Sequence, residues 1–202
     1  MGRSTCAAHA IHGGRYASWL WGLGETIGET TIDATERDGS ARARSTLTTT
    51  TTGIGPNIAE WAEDLVARMT RHQPTQHVAV FVPDDNVAGL RLAAQAWGAG
   101  EDTGEVIVGQ WIVPLEGSIC GRVYRTGLAA LCADVTMDPD YRAFPGGRTR
   151  SSLTVPVGPP GGVVAVVNLE APWVGAFSIR DFERMTEAAA AAHPAFPGTP
   201  LD

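Results

Sequence analysis

The feature that most constrains the fold is an ordered series in which two amphipathic helices enclose six short β-rich segments. A helical apolar periodicity follows Asn57 and another follows Ser178, and each of these capping-type residues has an acidic residue three positions later. Ser118 caps a shorter helix that ends at Gly127. The β-rich runs are separated by Gly, Pro and Asp turns and lie at residues 77–82, 90–97, 105–113, 128–133, 152–157 and 162–169.

This order predicts an α+β fold with a six-stranded antiparallel sheet. The two terminal helices cover one face of the sheet, and the short helix with the long polar segment 134–150 covers the other. The 202 residues, 44% of them hydrophobic, provide one core, so we expect one domain at residues 55–195. Residues 1–54, which include five consecutive threonines, are predicted to be a poorly ordered arm, and residues 196–202 a tail.

Composition excludes several functions. The basic residues are 15 arginines with no lysine, which excludes enzymes that use a Schiff-base lysine or a phosphate-loop lysine. A net charge of -7 disfavours nucleic acid as a partner, because that affinity depends on clustered cations. No apolar run approaches the roughly 20 residues of a membrane helix, so no membrane partner is predicted.

The three cysteines, Cys6, Cys120 and Cys132, include no Cys-x-x-Cys pair. An odd number without such a pair argues against both a disulfide framework and a zinc site. We therefore expect a reducing, cytoplasmic location. No metal or other cofactor is predicted.

Four stretches of the chain occur in an order that is typical of one known family. Residues 113–127, VPLEGSICGRVYRTG, match a signature in which a short helix precedes a pocket loop, and residues 134–141 match that loop. Residues 150–157, RSSLTVPV, are similar to an R-S-E-L-x-x-P-L strand. Residues 163–170 and then 177–181 are similar to a closing strand and helix. Together these stretches resemble the GAF domain family, and the resemblance covers residues 55–193.

The resemblance implies a GAF/PAS-like sensor module that binds a small molecule, does not catalyse a reaction and signals through a separate output protein. It also implies a homodimer, for which the helices near Asn57 and Ser178 are the candidate contacts. The chain lacks the lysine-containing signature of cyclic-nucleotide-binding members, and residues 134–150 lack the cysteine and histidine needed for a bilin pigment. Both ligands are therefore disfavoured.

The candidate ligand site lies between the short helix and residues 134–150. Arginine side chains and the free amides of a helix N-terminus favour an anionic or carboxylated ligand. In the alternative interpretation Arg150 pairs with Asp134 in a solvated loop and Trp111 fills the core. The candidate ligand-binding residues are Trp111, Ser118, Ile119, Cys120, Gly121, Asp134, Tyr141, Arg142, Phe144, Arg148 and Arg150.

Cys120 carries the main alternative function. It lies near a helix N-terminus beside Arg122, an environment that lowers a thiol pKa, although free cysteines are more often simply buried. A thiol enzyme or redox sensor related to the free methionine-R-sulfoxide reductases, an enzymatic branch of the GAF family, is therefore the first alternative. The chain has Arg148-Thr149-Arg150 where that branch has its catalytic cysteine, which disfavours catalysis. A structural interaction module with a filled pocket is the second alternative.

Overall fold

The computed structural model describes residues 6–12, 15–19, 54–71, 77–98, 107–144 and 147–198. The α-helices in these ranges are α1 (Pro56–Thr70), α2 (Ile119–Thr126) and α3 (Ile179–Ala192). The strands are β1 (Cys6–His12), β2 (Arg15–Trp19), β3 (His77–Asp84), β4 (Gly89–Trp97), β5 (Ile112–Pro114), β6 (Ala129–Cys132), β7 (Ser151–Val157) and β8 (Ala165–Ala171). Within the described ranges, no helix is both long and apolar enough to cross a bilayer.

All of these strands belong to one antiparallel sheet in the order β2-β1-β6-β7-β8-β3-β4-β5. Strands β3 to β8 are the six that the sequence predicts. The α+β fold with a six-stranded antiparallel sheet is therefore confirmed, and β1 and β2 extend that sheet beyond β6.

Strands β1 and β2 lie in the segment 1–54 that is predicted to be a poorly ordered arm. β1 pairs with both β2 and β6, so this part of the arm belongs to the sheet. The register pairs His12 with Arg15. In the sequence, two glycines separate these residues, which is a hairpin signal that did not enter the prediction. Other parts of the arm and of the tail lie outside the described residues, and the domain limits 55–195 stay a prediction.

Strand β5 is shorter than the strand predicted at residues 105–113. The described residues just before β5 form a turn in which Gly109 has a φ of 81°, and this left-handed conformation interrupts an extended strand. The Gly109 N–H donates to the Leu92 carbonyl at 2.8 Å, and the Leu92 N–H donates to the Trp111 carbonyl at 2.9 Å. The turn therefore stays attached to β4.

Side-chain caps define α2 and α3 as predicted. Ser118 Oγ accepts a hydrogen bond from the Gly121 N–H at 2.9 Å, and α2 ends at Gly127 with a φ of 65°. α3 begins with a reciprocal capping box between Ser178 and Asp181. Both caps use residues within three positions of each other, so the local sequence is sufficient to specify them.

The start of α1 differs from the prediction that Asn57 caps the helix. The N-cap is Gly55, and Pro56 occupies the first helical position. Proline favours this position because its φ is already helical and its missing N–H would have had no partner there. The prediction for Asn57 is therefore wrong by two residues.

The two faces of the sheet bury separate apolar clusters. α1 and α3 cover one face, where they pack against side chains such as Val80, Leu153 and Val167. α2 and residues 134–150 cover the other face, which includes Phe81. This layer arrangement agrees with the prediction. The buried apolar side chains of α1 and α3 belong to the first cluster. A homodimer through these helices stays a prediction, and it would have to use their other side chains.

Candidate functional site

A small cavity lies on the α2 face of the sheet, where the sequence predicts the ligand site. Its volume is about 20 Å³, which is room for about one water molecule. The first turn of α2 and the segment 134–150 form one wall, and strands β3, β7 and β8 form the opposite wall. The lining residues are Phe81, Val113, Ser118, Ile119, Cys120, Tyr141, Arg142, Phe144, Ser152, Asn168 and Glu170.

The cavity includes only part of the predicted site. The predicted residues that line it are Ser118, Ile119, Cys120, Tyr141, Arg142 and Phe144. The predicted residues outside its lining are Trp111, Gly121, Asp134, Arg148 and Arg150. A ligand-binding role stays a prediction for both groups.

Several of the residues outside the lining have other contacts. Arg150 donates to Asp134 at 3.1 Å, as the alternative interpretation expects, and Arg148 is exposed to solvent. Gly121 packs so closely against the segment before α2 that an added Cβ would overlap the Leu115 carbonyl oxygen. The glycine is therefore explained by close packing of α2.

Five lining residues were not predicted, namely Phe81, Val113, Ser152, Asn168 and Glu170. The last three are buried polar residues in β7 and β8, strands whose other residues are largely apolar. Polar side chains are rarely fully buried unless they have partners or a function. This polar pattern on apolar strands was the available signal that the sequence analysis did not use.

Hydrogen bonds connect the buried polar residues beside the cavity. Thr154 Oγ1 donates to Asn168 Oδ1 at 2.8 Å, and Asn168 Nδ2 donates to Glu170 Oε1 at 3.2 Å. Glu170 Oε2 lies 3.2 Å from His77 Nδ1, and His77 Nε2 lies 3.0 Å from Gln95 Oε1. A carboxylate accepts about four hydrogen bonds, so these contacts leave Glu170 with acceptor capacity toward the cavity.

Aromatic side chains fill much of the space between the sheet and residues 134–150. The ring of Phe144 stacks on Trp111 with centroids 5.6 Å apart and meets the ring of His77 edge-on at 4.3 Å. His77 also stacks on Trp97 at 3.9 Å. These aromatic rings account for the small volume of the cavity. They are also what the second alternative, a structural module with a filled pocket, would lead us to expect.

Ser152 lines the cavity, and its hydroxyl is buried. Ser152 is 1% exposed, and its Oγ has no hydrogen bond among the residues that the structure describes. The indole Nε1 of Trp111 is also buried and unpartnered within this part of the chain. An unpaired buried polar atom costs roughly 1–3 kcal/mol, so both atoms favour a binding partner.

Cys120 is buried and free. Burial and, secondarily, the charge of Glu170 raise the pKa of its thiol well above the ordinary value of 9.0. Burial therefore outweighs the helix N-terminus and Arg122, in agreement with the interpretation of Cys120 as a simply buried cysteine and against the alternative of a lowered thiol pKa. Arg122 instead donates to Asp138 at 2.6 Å and to Asp140 at 2.5 Å, so these carboxylates already balance its charge.

The bonding of Cys132 contradicts the expectation that this chain has no structural disulfide. It is fully buried in β6 and is disulfide-bonded. An odd cysteine count cannot show which residues pair, because pairing depends on strand register. In the described ranges, no group of three or more His, Cys, Asp or Glu residues is placed to hold a metal ion.

A larger cavity lies on the opposite face, between α3 and the turn that follows β7. Its volume is about 330 Å³, and its lining is mostly apolar, with Pro156, Pro159, Pro160 and Phe182 among the residues. Neither unpartnered atom described above faces this cavity. The smaller cavity is therefore the better candidate for recognition of a polar ligand.

Comparison with protein-family models and with curated proteins gives no match. Among solved structures, the free methionine-R-sulfoxide reductase of Neisseria meningitidis in complex with its substrate is 21% identical, with a TM-score of 0.56. The match covers 69% of this chain and 77% of that chain.

Two further matches are GAF domains. The GAF domain of a phosphoenolpyruvate-protein phosphotransferase from Coxiella burnetii is 17% identical, with a TM-score of 0.58, over 70% of this chain and 83% of that chain. The GAF-B domain of DevS from Mycobacterium smegmatis is 18% identical, with a TM-score of 0.53, over 68% and 91%. Similarity at these identities shows the fold alone, and the chain has a GAF-like fold.

Proposed function

We propose that this protein is a GAF-type sensor module that binds a small molecule between the sheet and residues 134–150. In this proposal the protein does not transform the ligand and signals through a separate partner protein. The observation that supports binding most directly is the Ser152 hydroxyl, which has no partner in the described part of the chain, on a residue directly opposite the buried Glu170 in the β7–β8 register. A folded protein that leaves a hydroxyl unpaired at a cavity gains free energy when a ligand pairs with it.

The charges at the cavity favour a ligand that donates hydrogen bonds. Glu170 is 1% exposed, and its charge contributes to raising the pKa of Tyr141, after burial, from 10.0 to about 12. Arg150 is paired with Asp134, and Arg142 donates to the backbone carbonyls at positions 139 and 141. A cationic or neutral donor group therefore fits this interior better than the anion considered in the sequence analysis.

The aromatic cluster favours a ligand with a planar ring. Phe144 is buried against His77 and Trp111, so a ligand larger than water must displace the Phe144 ring. A ring of similar size would restore the stacking and edge contacts that this displacement removes. We therefore propose an aromatic molecule with an amine or hydroxyl group as the ligand class.

The thiol-enzyme alternative has less support. Cys120 lines the cavity, but the raised pKa keeps its sulfur protonated at neutral pH, and the thiolate is the reactive form. The free methionine-R-sulfoxide reductase reported above is similar to this chain in fold only. A direct assay of methionine-R-sulfoxide reduction separates the proposals: turnover that disappears in Cys120→Ser would favour the enzyme.

Binding is tested with three compounds that share one ring, namely benzylamine, benzyl alcohol and benzoate. We expect benzylamine and benzyl alcohol to raise the Tm and to shift the NMR signals of residues around the cavity, with benzoate weakest. Ser152→Ala should weaken this binding, whereas Ser151→Ala, the adjacent control, should not. If these compounds and a wider amine and alcohol library produce no shift, a structural module with a filled pocket is the better interpretation.

A further inference from the structure

Because Cys132 forms a disulfide bond, the cysteine that it bonds to can be identified from the other cysteines of the chain. The chain has three cysteines, and Cys120 is free. Cys132 is disulfide-bonded and fully buried. Within one chain, Cys6 is the cysteine that remains.

Backbone register independently places Cys6 opposite Cys132. The β1–β6 ladder pairs Cys6 with Cys132, Ala7 with Leu131 and Ala8 with Ala130. Directly opposed residues of antiparallel strands have Cα atoms about 4.5–5.5 Å apart, which is within the usual range for a disulfide, about 4.4–6.8 Å. The register therefore permits this bond without movement of either strand.

The location of Cys132 connects this pair to the candidate ligand site. Cys132 belongs to the apolar cluster on the α2 face, and its Sγ lies 3.7 Å from Asp138 Oδ2. Asp138 is held by Arg122 of α2, and residues 134–150 begin just after β6. In the backbone register, Cys6 is the residue of β1 that lies opposite Cys132.

We infer that Cys6 and Cys132 form a reversible disulfide that fixes the β1–β2 hairpin to β6 beside the candidate site. The thiols of both residues react with one molecule of a low-molecular-weight disulfide such as glutathione disulfide. Two exchange steps form the Cys6–Cys132 bond and release two molecules of the corresponding thiol, and excess thiol reverses them. This inference concerns the hairpin and does not depend on ligand binding.

Reduction removes the covalent connection but leaves the backbone ladder. The hairpin is then held to the sheet by one strand pair at its β6 edge. Loss of a cross-link increases the conformational freedom of the unfolded chain and favours local opening of the edge. The oxidised protein should therefore keep β1 on β6 more persistently than the reduced protein.

The test starts from the full chain equilibrated with glutathione disulfide and then denatured in iodoacetamide without reductant. We expect alkylation at Cys120 alone, a mass about 2 Da below that of the reduced chain before alkylation, and a non-reduced peptide map that joins the Cys6 and Cys132 peptides. Reduction should lower the Tm by about 5 °C or more. Amide exchange in β1 and β6 should accelerate at the same time.

Variants provide the matched comparison. Cys6→Ser should abolish the effect of reductant on the Tm, whereas Cys120→Ala should retain it. Alkylation of all three cysteines after oxidation, a map that joins Cys132 to Cys120 or to a second chain, or a reductant-sensitive Tm in Cys6→Ser would each overturn the inference. The wild-type peptide map gives this answer even if a variant fails to fold.

Discussion

Two adjacent serines of β7 provide a direct energetic test of the candidate site. Ser151 and Ser152 are each 1% exposed, so replacement by alanine removes one buried hydroxyl in either case. Ser151 Oγ donates to the Trp173 carbonyl at 2.8 Å and accepts from the Ala176 N–H at 3.3 Å. Ser152 lines the cavity, and its Oγ has no hydrogen-bond partner among the residues that the structure describes.

The two substitutions should therefore have different effects on the free energy of unfolding. Ser151→Ala leaves a carbonyl and an N–H without their partner, which costs about 1–3 kcal/mol. Ser152→Ala removes an unpaired buried hydroxyl, so we expect a change between zero and a gain of about 1 kcal/mol. A difference of about 2 kcal/mol corresponds to about 4–8 °C in Tm for a chain of this size.

The measurement is urea denaturation of the wild type, both single variants and the double variant, together with thermal unfolding. The m-values should agree, because neither substitution changes the surface exposed on unfolding. If Ser152→Ala is destabilised as much as Ser151→Ala, the Ser152 hydroxyl is paired in the free protein. That result would refute the argument that it is available for a ligand.

Three further predictions concern packing, charge and pH. Gly121→Ala should lower the free energy of unfolding by several kcal/mol in urea titrations, because the new Cβ overlaps backbone of the preceding segment. Arg122→Met should cost about 3 kcal/mol by the same measurement, since the buried carboxylate of Asp138 loses its cationic partner and keeps only the hydrogen bond from the Asp140 N–H. The pKa values of Cys120 and Tyr141 are raised in the folded protein, so as the pH rises the unfolded chain loses these two protons before the folded protein does. The free energy of unfolding should therefore be unchanged below pH 9.0 and should fall as the pH approaches about 12.

Each of these predictions has a control within the chain. Gly55→Ala adds a Cβ with no neighbour within 4 Å, so its cost should be limited to the loss of a favourable N-cap residue of α1, about 1 kcal/mol. Arg68→Met removes an exposed ion pair with Asp64, for which a cost below about 1 kcal/mol is expected. Cys120→Ala should flatten the fall in stability at high pH. If a control variant changed the free energy of unfolding as its test protein does, the physical cause given for that prediction would be wrong.

The candidate site was predictable only where it depends on local sequence or on the family resemblance. The resemblance pointed to Cys120 and Tyr141, which do line the cavity, and to Arg150, which pairs with Asp134 as the alternative interpretation of residues 134–150 expected. Which arginine of this segment forms an ion pair with a carboxylate depends on how the segment crosses the sheet. That path is set by contacts between distant parts of the chain, and a motif does not contain it.

The sequence by itself determined those helices and strands that depend on interactions between residues close together in the chain. Ser118 and Ser178 begin α2 and α3 through caps formed within one helical turn, and apolar β-rich runs produce the six predicted strands. Tertiary structure alone decided that Ser152 would be buried with no partner among the described residues and that Cys6 would lie opposite Cys132. Burial, pairing and pKa depend on neighbours that strand order brings together, and strand order is a property of the whole sheet.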